Sequence, residues 1–173
     1  MRTLYLLRHA QAATPQGVED KHRPLTQQGL ADALALGRLM KAKGYKPDFI
    51  ICSPARRTQQ TMRKVLESLG EIKTVMPQAA YYTTTGQLYD MLKTVDGNIQ
   101  NLMLISHNPS IHSLVRFLAG LGTDESILRL NTEYQECTLS VLECPIDGWA
   151  TLMPTENDLA DLLVPGRDFT AKI

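Results

Sequence analysis

The chain has 173 residues, which predicts one domain spanning residues 1–173 with room for a sizeable core. Its 18 lysines and arginines match its 18 aspartates and glutamates, so no net charge favours nucleic acid or an anionic membrane as a partner. No apolar run approaches the ~20 residues that span a bilayer, and the N-terminus lacks a signal-peptide pattern, which predicts a cytoplasmic protein.

The N-terminal half alternates short apolar runs with helical patterns. Residues 3–8 predict a buried strand, because the run is apolar without alternation. A polar loop over residues 11–25 leads to a helix that Thr26 can cap and Gly44 can end. Residues 48–52 then predict a second buried strand.

The middle of the chain repeats this alternation. Ser53 and Pro54 are typical of a helix start, and the helix that follows extends to Gly70. Residues 72–76 indicate a third strand, and residues 85–95 indicate another helix.

A fourth apolar strand over residues 102–105 runs into Ser106-His107-Asn108-Pro109, where Asn108 can cap a helix. Residues 120–133 are weakly patterned. Residues 138–144 and 149–153 resemble a hairpin around a Pro-Ile-Asp-Gly turn, and the tail from Thr155 predicts no more than one turn near residues 159–163.

This order of elements predicts an α/β three-layer sandwich, with a mostly parallel central sheet and helices on both faces. Ligands of such folds bind beyond the carboxyl ends of the strands. Three predicted strand ends carry reactive or cationic side chains. They are Arg8-His9, the turn from Ser53 to Thr61, and Ser106-His107.

Each of these strand ends has an ordinary explanation when taken alone. An arginine–histidine pair after a strand is usually a surface feature, and Arg56 reads as part of a solvated basic face. Arg57, however, lies one helical turn before Thr61, so that both project from one side as a plausible anion clamp. His107 precedes a helix N-terminus, which favours a neutral imidazole and attracts anions.

Together, two histidines and two arginines at one rim predict a metal-free phosphoryl-transfer site. A phosphoryl group carries about two negative charges, and guanidinium groups can hold its oxygens in pairs. His9 can serve as the nucleophile if it is neutral and its second ring nitrogen donates to a fixed acceptor. Arginines beside His9 would repel a cation, so no metal or other cofactor is expected.

Four ordered segments resemble the histidine phosphatase superfamily, also called phosphoglycerate-mutase-like. They are Leu7-Arg8-His9-Ala10, Arg23-Pro24-Leu25-Thr26-Gln27-Gln28-Gly29, Ser53-Pro54-Ala55-Arg56-Arg57-Thr58-Gln59-Gln60-Thr61 and Ser106-His107-Asn108-Pro109. Ala10 stands where the commonest form has glycine. Spacing and length look most like the SixA-type phosphohistidine phosphatases. The resemblance is good over residues 3–119 and loose beyond them.

The resemblance implies that His9 becomes phosphorylated and that Arg8, Arg57 and His107 bind the phosphoryl group. Arg23 would reach the rim of the pocket. Their positions in the chain suggest roles for two further residues. Gln11 would contact the phosphoryl group, and Ser53 would orient Arg8 or His9. The protein partner implied is one that carries phosphohistidine.

The family's larger members place an acidic proton donor after the third strand, where this chain has Gln78-Ala79-Ala80-Tyr81-Tyr82-Thr83-Thr84-Thr85. A missing acid disfavours alkyl phosphoesters, whereas the leaving nitrogen of phosphohistidine is protonated more easily. Asp90 and Glu19 are read as solvated surface carboxylates. The alternatives are a phosphatase of small phosphomonoesters or nucleotides, a non-catalytic phosphate-binding module and, more weakly, a phosphoglycerate mutase.

Overall fold

The structure is a computed structural model that describes residues 1–171. Seven strands and five helices are present in this part of the chain. In chain order they are β1 (Arg2–Arg8), α1 (Gln27–Lys43), β2 (Phe49–Cys52), α2 (Arg56–Leu69), β3 (Lys73–Val75), α3 (Thr85–Lys93), β4 (Asn101–Ser106), α4 (Ser110–Leu118), β5 (Ala119–Leu121), α5 (Asp124–Thr132), β6 (Leu139–Cys144) and β7 (Asn157–Leu163).

All seven strands form one sheet in the order β3-β2-β4-β1-β6-β7-β5. The first four of these are parallel, whereas β6 runs antiparallel to β1 and β7 runs antiparallel to β6. Arg8 pairs with Ser106, and Cys52 pairs with Ile105, so β1, β4 and β2 end at the same level. The residues that follow these strands therefore meet at one edge of the sheet.

Each face of the sheet packs against its own layer of helices. The pleat sends Leu4 and Leu6 of β1 into one core, which α3, α4 and α5 cover, while Tyr5 and Leu7 enter a second core under α1 and α2. The three-layer α/β sandwich with a mostly parallel sheet, predicted from the sequence, is thereby confirmed.

Two predicted helix starts are wrong in detail. The first helix is capped as expected, since Thr26 Oγ1 accepts the Gly29 N–H and Gly44 closes the helix with a φ of 75°. By contrast, α2 begins at Arg56 and α4 at Ser110, and neither has a side-chain cap. The side chain of Ser53 is instead engaged by the site described below.

The C-terminal third differs most from expectation. The antiparallel partner of β6 is β7 and not residues 149–153. Of these, Trp149–Thr151 form a short 3-10 turn in which Trp149 is fully buried. The first four residues of β7 alternate between buried and exposed, as expected for a strand. The sequence alone did not indicate this strand, because polar and apolar residues are mixed along it. Asn157 fixes this strand, because its buried side-chain amide donates to the carbonyls of Leu118 and Met153.

The three cysteines, Cys52, Cys137 and Cys144, are free and buried. Cys52 ends β2, directly before Ser53. Burial raises the pKa of the Cys52 and Cys144 thiols to about 12, and raises that of Cys137 well above its ordinary value. All three thiols are therefore protonated at neutral pH.

Close packing of α1 on α2 gives a stability prediction at Gly37. A Cβ there would lie 2.5 Å from the Val65 carbonyl oxygen, so Gly37→Ala should lower the free energy of unfolding by about 1–3 kcal/mol. The matched control is Gly86→Ala in α3, where a Cβ meets no heavy atom closer than 4.0 Å. That change should be neutral or stabilise by up to about 1 kcal/mol. Urea unfolding measures both, and equal effects would contradict the packing argument.

Candidate active site

The ends of β1, β2 and β4 bring His9, Ser53 and His107 together. The ring centroids of His9 and His107 are 5.2 Å apart. A cleft of about 780 Å³ opens beside them. It is lined by Asp20, Arg57, Tyr81, Tyr82, Thr83, Thr84, Thr85, Ser106, His107, Asn108, Pro109 and Ser110. Of the predicted catalytic residues, Arg57 and His107 line this cleft, while His9 and Arg8 adjoin it.

The His9 ring is held in one tautomer by its own main chain. Its Nδ1–H donates to the Ala10 carbonyl oxygen at 2.7 Å, which leaves Nε2 with a free lone pair. The Ala10 peptide is fixed in turn, since its N–H donates to Thr61 Oγ1 at 3.0 Å. The Thr61 hydroxyl donates to the Arg57 carbonyl at 2.7 Å, so one side chain ties His9 to the anion-binding helix.

Burial is the main reason that His9 stays neutral. The residue is 9% exposed, and its burial, followed by the positive charges of Arg57, Arg8 and Arg23, lowers its pKa to about 4. The positive charges of the neighbouring guanidinium groups lower the pKa of His9 in the same direction but contribute less than desolvation. The outcome is an imidazole that is unprotonated at Nε2 near pH 7.

His107 is positioned by Ser53. The Ser53 Oγ lies 2.7 Å from His107 Nε2 and 3.5 Å from the Ala55 N–H. The Ser53 hydroxyl also accepts from that amide, and it donates to Nε2 in the tautomer of the neutral His107 ring that carries its hydrogen on Nδ1. Burial, then the charges of His9 and Arg57, lower the His107 pKa to about 3. Ser53 thus orients His107, not Arg8 or His9 as the sequence suggested.

The two predicted anion-binding arginines have different surroundings. Arg57 is largely buried, and its Nη1 and Nη2 donate to the main-chain oxygen and Oδ2 of Asp20 at 2.7 and 3.1 Å. Arg8 donates through Nη1 to the Tyr134 carbonyl at 3.0 Å and lies 3.9 Å from Glu136. Fixed main-chain acceptors therefore hold both guanidinium groups in place.

Asp20 is the functional-site residue that the sequence reasoning missed. Its carboxylate accepts from the Tyr81 hydroxyl at 2.6 Å, from Arg23 Nη1 at 3.1 Å and from Arg57 Nη2 at 3.1 Å. The bond from Tyr81, then those from Arg23 and Arg57, hold the pKa of Asp20 well below its usual range. The only signal in the sequence was its spacing of three residues before Arg23. Glu19, which was weighed instead, is exposed.

Arg23 and Gln11, for which the sequence predicts contact with substrate, form their hydrogen bonds outside the cleft. Arg23 donates to the Ala13 carbonyl, to Asp20 and to Thr14 Oγ1, and it does not line the cleft. The Gln11 side chain accepts from the Thr26 hydroxyl at 2.7 Å and lines a separate small depression. The structure thus gives Arg23 an indirect link to the cleft through Asp20 and places Gln11 outside it.

Several buried polar atoms at the ends of β1 and β4 have no hydrogen-bond partner. They are Arg8 Nε, Ser106 Oγ, His107 Nδ1 and Asn108 Oδ1. Arg8 Nε and Ser106 Oγ can present hydrogens to an oxyanion, as can His107 Nδ1 in the tautomer that is protonated there, and a buried donor without a partner costs about 1–3 kcal/mol. Together with Arg57 and the His9 lone pair, they suit a tetrahedral phosphoryl group beside a nucleophile.

Fold and site together define an α/β protein in which two histidines, His9 and His107, meet beside a cleft at the carboxyl ends of the strands. The sequence model of the histidine phosphatase superfamily (branch 1) matches residues 4–79. The SixA protein of Agrobacterium tumefaciens, a candidate phosphohistidine phosphatase, superposes with a TM-score of 0.79 at 27% identity, over 95% of this chain and 98% of that one. Residues 4–79 of the chain thus resemble the histidine phosphatase superfamily in sequence, and the fold resembles that of the SixA protein over 95% of the chain.

Two curated relatives show how far the likeness extends. An uncharacterized protein of Mycobacterium tuberculosis is 28% identical over 162 residues, which cover 92% of this chain and 99% of the relative. The 2,3-bisphosphoglycerate-dependent phosphoglycerate mutase of Mesorhizobium japonicum is 35% identical over 99 residues, but these cover only 53% of this chain and 47% of the mutase. The likeness to the mutase is therefore partial.

Residues 1–171 contain neither a metal-binding cluster nor a membrane-spanning helix. No group of three or more His, Cys, Asp or Glu side chains in this range could hold a metal ion. No helix in the same range is long and apolar enough to cross a membrane.

The depressed pKa values of His9 and His107 predict how stability depends on pH. Between pH 6.5 and about 4 the unfolded chain binds protons at these rings that the folded chain excludes, so the free energy of unfolding falls as pH is lowered through this window. The loss should be roughly 2–4 kcal/mol per histidine at its lower end. Denaturant unfolding at several pH values measures it.

A His9→Asn/His107→Asn double variant is the control for this pH dependence. It should show a shallower slope between pH 6.5 and 4, because neither asparagine titrates. Asp20 contributes only at lower pH, as its carboxyl is ionised in the folded chain well below its ordinary pKa. The same slope in both proteins would show that other groups carry the effect.

Proposed function

We propose that this protein is a metal-independent phosphatase that removes the phosphoryl group from phosphohistidine in proteins, through a phosphohistidine intermediate on His9. The observation that carries the proposal is the His9 imidazole, whose Nδ1–H is anchored on Ala10 while Nε2 stays unprotonated beside Arg57 and Arg8. A pocket that only binds phosphate does not need a nucleophile held in one tautomer.

The reaction follows from these positions in two displacements. The Nε2 lone pair of His9 attacks phosphorus, the bond from phosphorus to the leaving nitrogen breaks, and that nitrogen takes a proton from solvent. Water then attacks phosphorus, the bond to Nε2 breaks, and inorganic phosphate leaves as the water loses a proton. The Nδ1–H bond to the Ala10 carbonyl stabilises the positive ring of the intermediate.

Arg57, Arg8 and His107 would stabilise the equatorial oxygens during both displacements. The charged Arg57 guanidinium lies in the cleft wall, and the Nε of Arg8 is a buried donor without a partner. In the tautomer whose Nε2 accepts from Ser53, the Nδ1–H of His107 is also free to donate. These groups are in place before substrate arrives, so little reorganisation is needed.

The substrate class rests on the absence of a proton donor among the residues that line the cleft. Asp20 is the only carboxylate in that lining, and its pKa is far below the range of a general acid at neutral pH. The Tyr81 hydroxyl already donates to Asp20, and burial, with that bond, raises its pKa. An alkoxide would therefore leave without help, whereas an imidazole nitrogen can be protonated by solvent.

A second candidate function is hydrolysis of small phosphomonoesters, and Asp20 is the observation that favours it. A carboxylate in the cleft is where a proton donor to an ester oxygen would be sought. Its three hydrogen bonds argue for a different role, because they hold it ionised and bonded to Arg57.

The nucleophile is tested by labelling. Incubation with a ³²P-labelled phosphohistidine protein and rapid quenching should leave acid-labile, alkali-stable label on the wild-type protein. His9→Ala should abolish that label and lower kcat by about 10³-fold or more. His112→Gln is the matched control, since His112 lies on α4 outside the cleft lining and its Nε2 contacts the Leu130 carbonyl.

Two results would overturn the proposal. Label that persists on His9→Ala would place the nucleophile elsewhere. Tight binding of a phosphohistidine peptide by wild type, with no label and no phosphate release, would make the protein a phosphate-binding module.

Whether a residue of the cleft protonates the leaving group is tested with substrates whose leaving groups differ in basicity. We expect kcat/KM for alkyl phosphates to lie about 10²–10⁴-fold below that for phosphohistidine or p-nitrophenyl phosphate, because no residue protonates the alkoxide. Asp20→Asn should lower all rates by a similar factor, since its effect would pass through Arg57. The exposed Asp90→Asn is the control. A selective loss of alkyl phosphate hydrolysis in Asp20→Asn would identify Asp20 as the acid and favour the esterase.

A further inference from the structure

A second depression opens beside the cleft, on the side of α2. We call it the basic groove. It has a volume of about 350 Å³ and is lined by Lys21, His22, Pro54, Arg56, Gln59, Gln60 and Arg63. Three of these side chains are always cationic near pH 7, and none is a carboxylate. In a chain whose charges balance, this is a local excess of positive charge.

The basic groove and the cleft share the same two chain segments. Asp20 and Arg57 line the cleft, while their sequence neighbours Lys21 and Arg56 line the groove. The two depressions therefore adjoin across the 3-10 turn at residues 20–22 and the first turn of α2. A macromolecule that places a phosphoryl group in the cleft has its neighbouring residues within reach of the groove.

The cations of the groove are poorly neutralised by the chain itself. Within residues 1–171, Arg56 makes no ion pair or side-chain hydrogen bond, and it occupies the first turn of α2, where the helix dipole disfavours a cation. Arg63 has only a 3.4 Å bond to Gln59. Lys21 donates to the neutral Gln78, and His22 lies 3.6 Å from the exposed Glu19. Arg56 and Arg63 are both exposed and free to bind an anion.

The opposite rim of the cleft has no such charge. Its lining there is Tyr82, Thr83, Thr84, Thr85, Asn108, Pro109 and Ser110, all of them uncharged. The electrostatic field at the mouth of the cleft is therefore one-sided. An acidic partner is attracted on the α2 side alone, which fixes its orientation as well as its approach.

We propose that the basic groove binds an acidic segment of the protein whose phosphohistidine enters the cleft. This proposal rests on the function proposed above and adds a selection among phosphohistidine proteins, by the charge of the surface next to the phosphorylated side chain. A protein segment suits the groove better than a nucleic acid, because the groove is short and the chain has no net positive charge.

The test uses three phosphohistidine peptides of one length that differ only in flanking residues, which are glutamates, serines or lysines. Wild type should show the highest kcat/KM on the glutamate peptide, and this preference should weaken with added salt. Arg56→Glu/Arg63→Glu should lower the ratio of kcat/KM for the glutamate peptide to that for the serine peptide by about fivefold or more, mainly through KM. Arg38→Glu, an exposed arginine of α1 outside both linings, is the matched control.

The outcomes separate the docking surface from the proposed function. Equal ratios in wild type and the double variant would overturn the groove proposal while phosphohistidine hydrolysis stands. Absence of phosphate release from every peptide would refute the function. In that case fluorescence anisotropy with an unphosphorylated glutamate-rich peptide still tests whether the basic groove binds acidic segments. Binding to wild type that is lost in the double variant would support the groove proposal, and equal binding to both would overturn it. Tighter binding of a single-stranded RNA of equal charge than of this peptide would contradict a protein partner.

Discussion

The hydrogen bond from His9 Nδ1 to the carbonyl of Ala10 is the contact on which the site depends. It fixes which ring nitrogen holds the lone pair, and it does so with a main-chain acceptor that cannot titrate. The Ala10 peptide is held by Thr61, and Thr61 is held by the Arg57 carbonyl. His9 and the first turn of α2 are consequently linked by an unbroken series of hydrogen bonds.

The sequence alone predicts the positions of those site residues that directly follow strands of the parallel sheet. His9 and His107 directly follow apolar strands, and carboxyl ends of adjacent parallel strands lie at one edge of a sheet, so their meeting could be predicted. Arg57 could be chosen over Arg56 because of the resemblance, and the cleft lining includes only Arg57 of the two. The mostly parallel sheet itself followed from apolar runs that alternate with helical patterns.

The rest depended on contacts between segments distant in sequence. Asp20 reaches the cleft because Tyr81, sixty-one residues later, donates to it, and no local pattern reports such a pairing. Ser53 could have capped a helix, but a hydrogen bond to His107 from the neighbouring strand end took precedence. β7 was missed because Asp158 and Asp161 interrupt its apolar residues, while its pairing with β6 supplies the stability that its own composition does not indicate.

The buried thiols give the site a chemical property of another kind. Phosphatases that attack with a cysteine thiolate are silenced when peroxide converts it to a sulfenic acid. In the mechanism proposed above the attacking atom is an imidazole nitrogen, and the nearest cysteine in sequence to the cleft, Cys52, is enclosed and protonated. Peroxide and thiol-alkylating reagents have no accessible thiolate to modify. If His9 is the nucleophile, as proposed, removal of phosphoryl groups would continue under oxidative conditions that inactivate thiol-dependent enzymes.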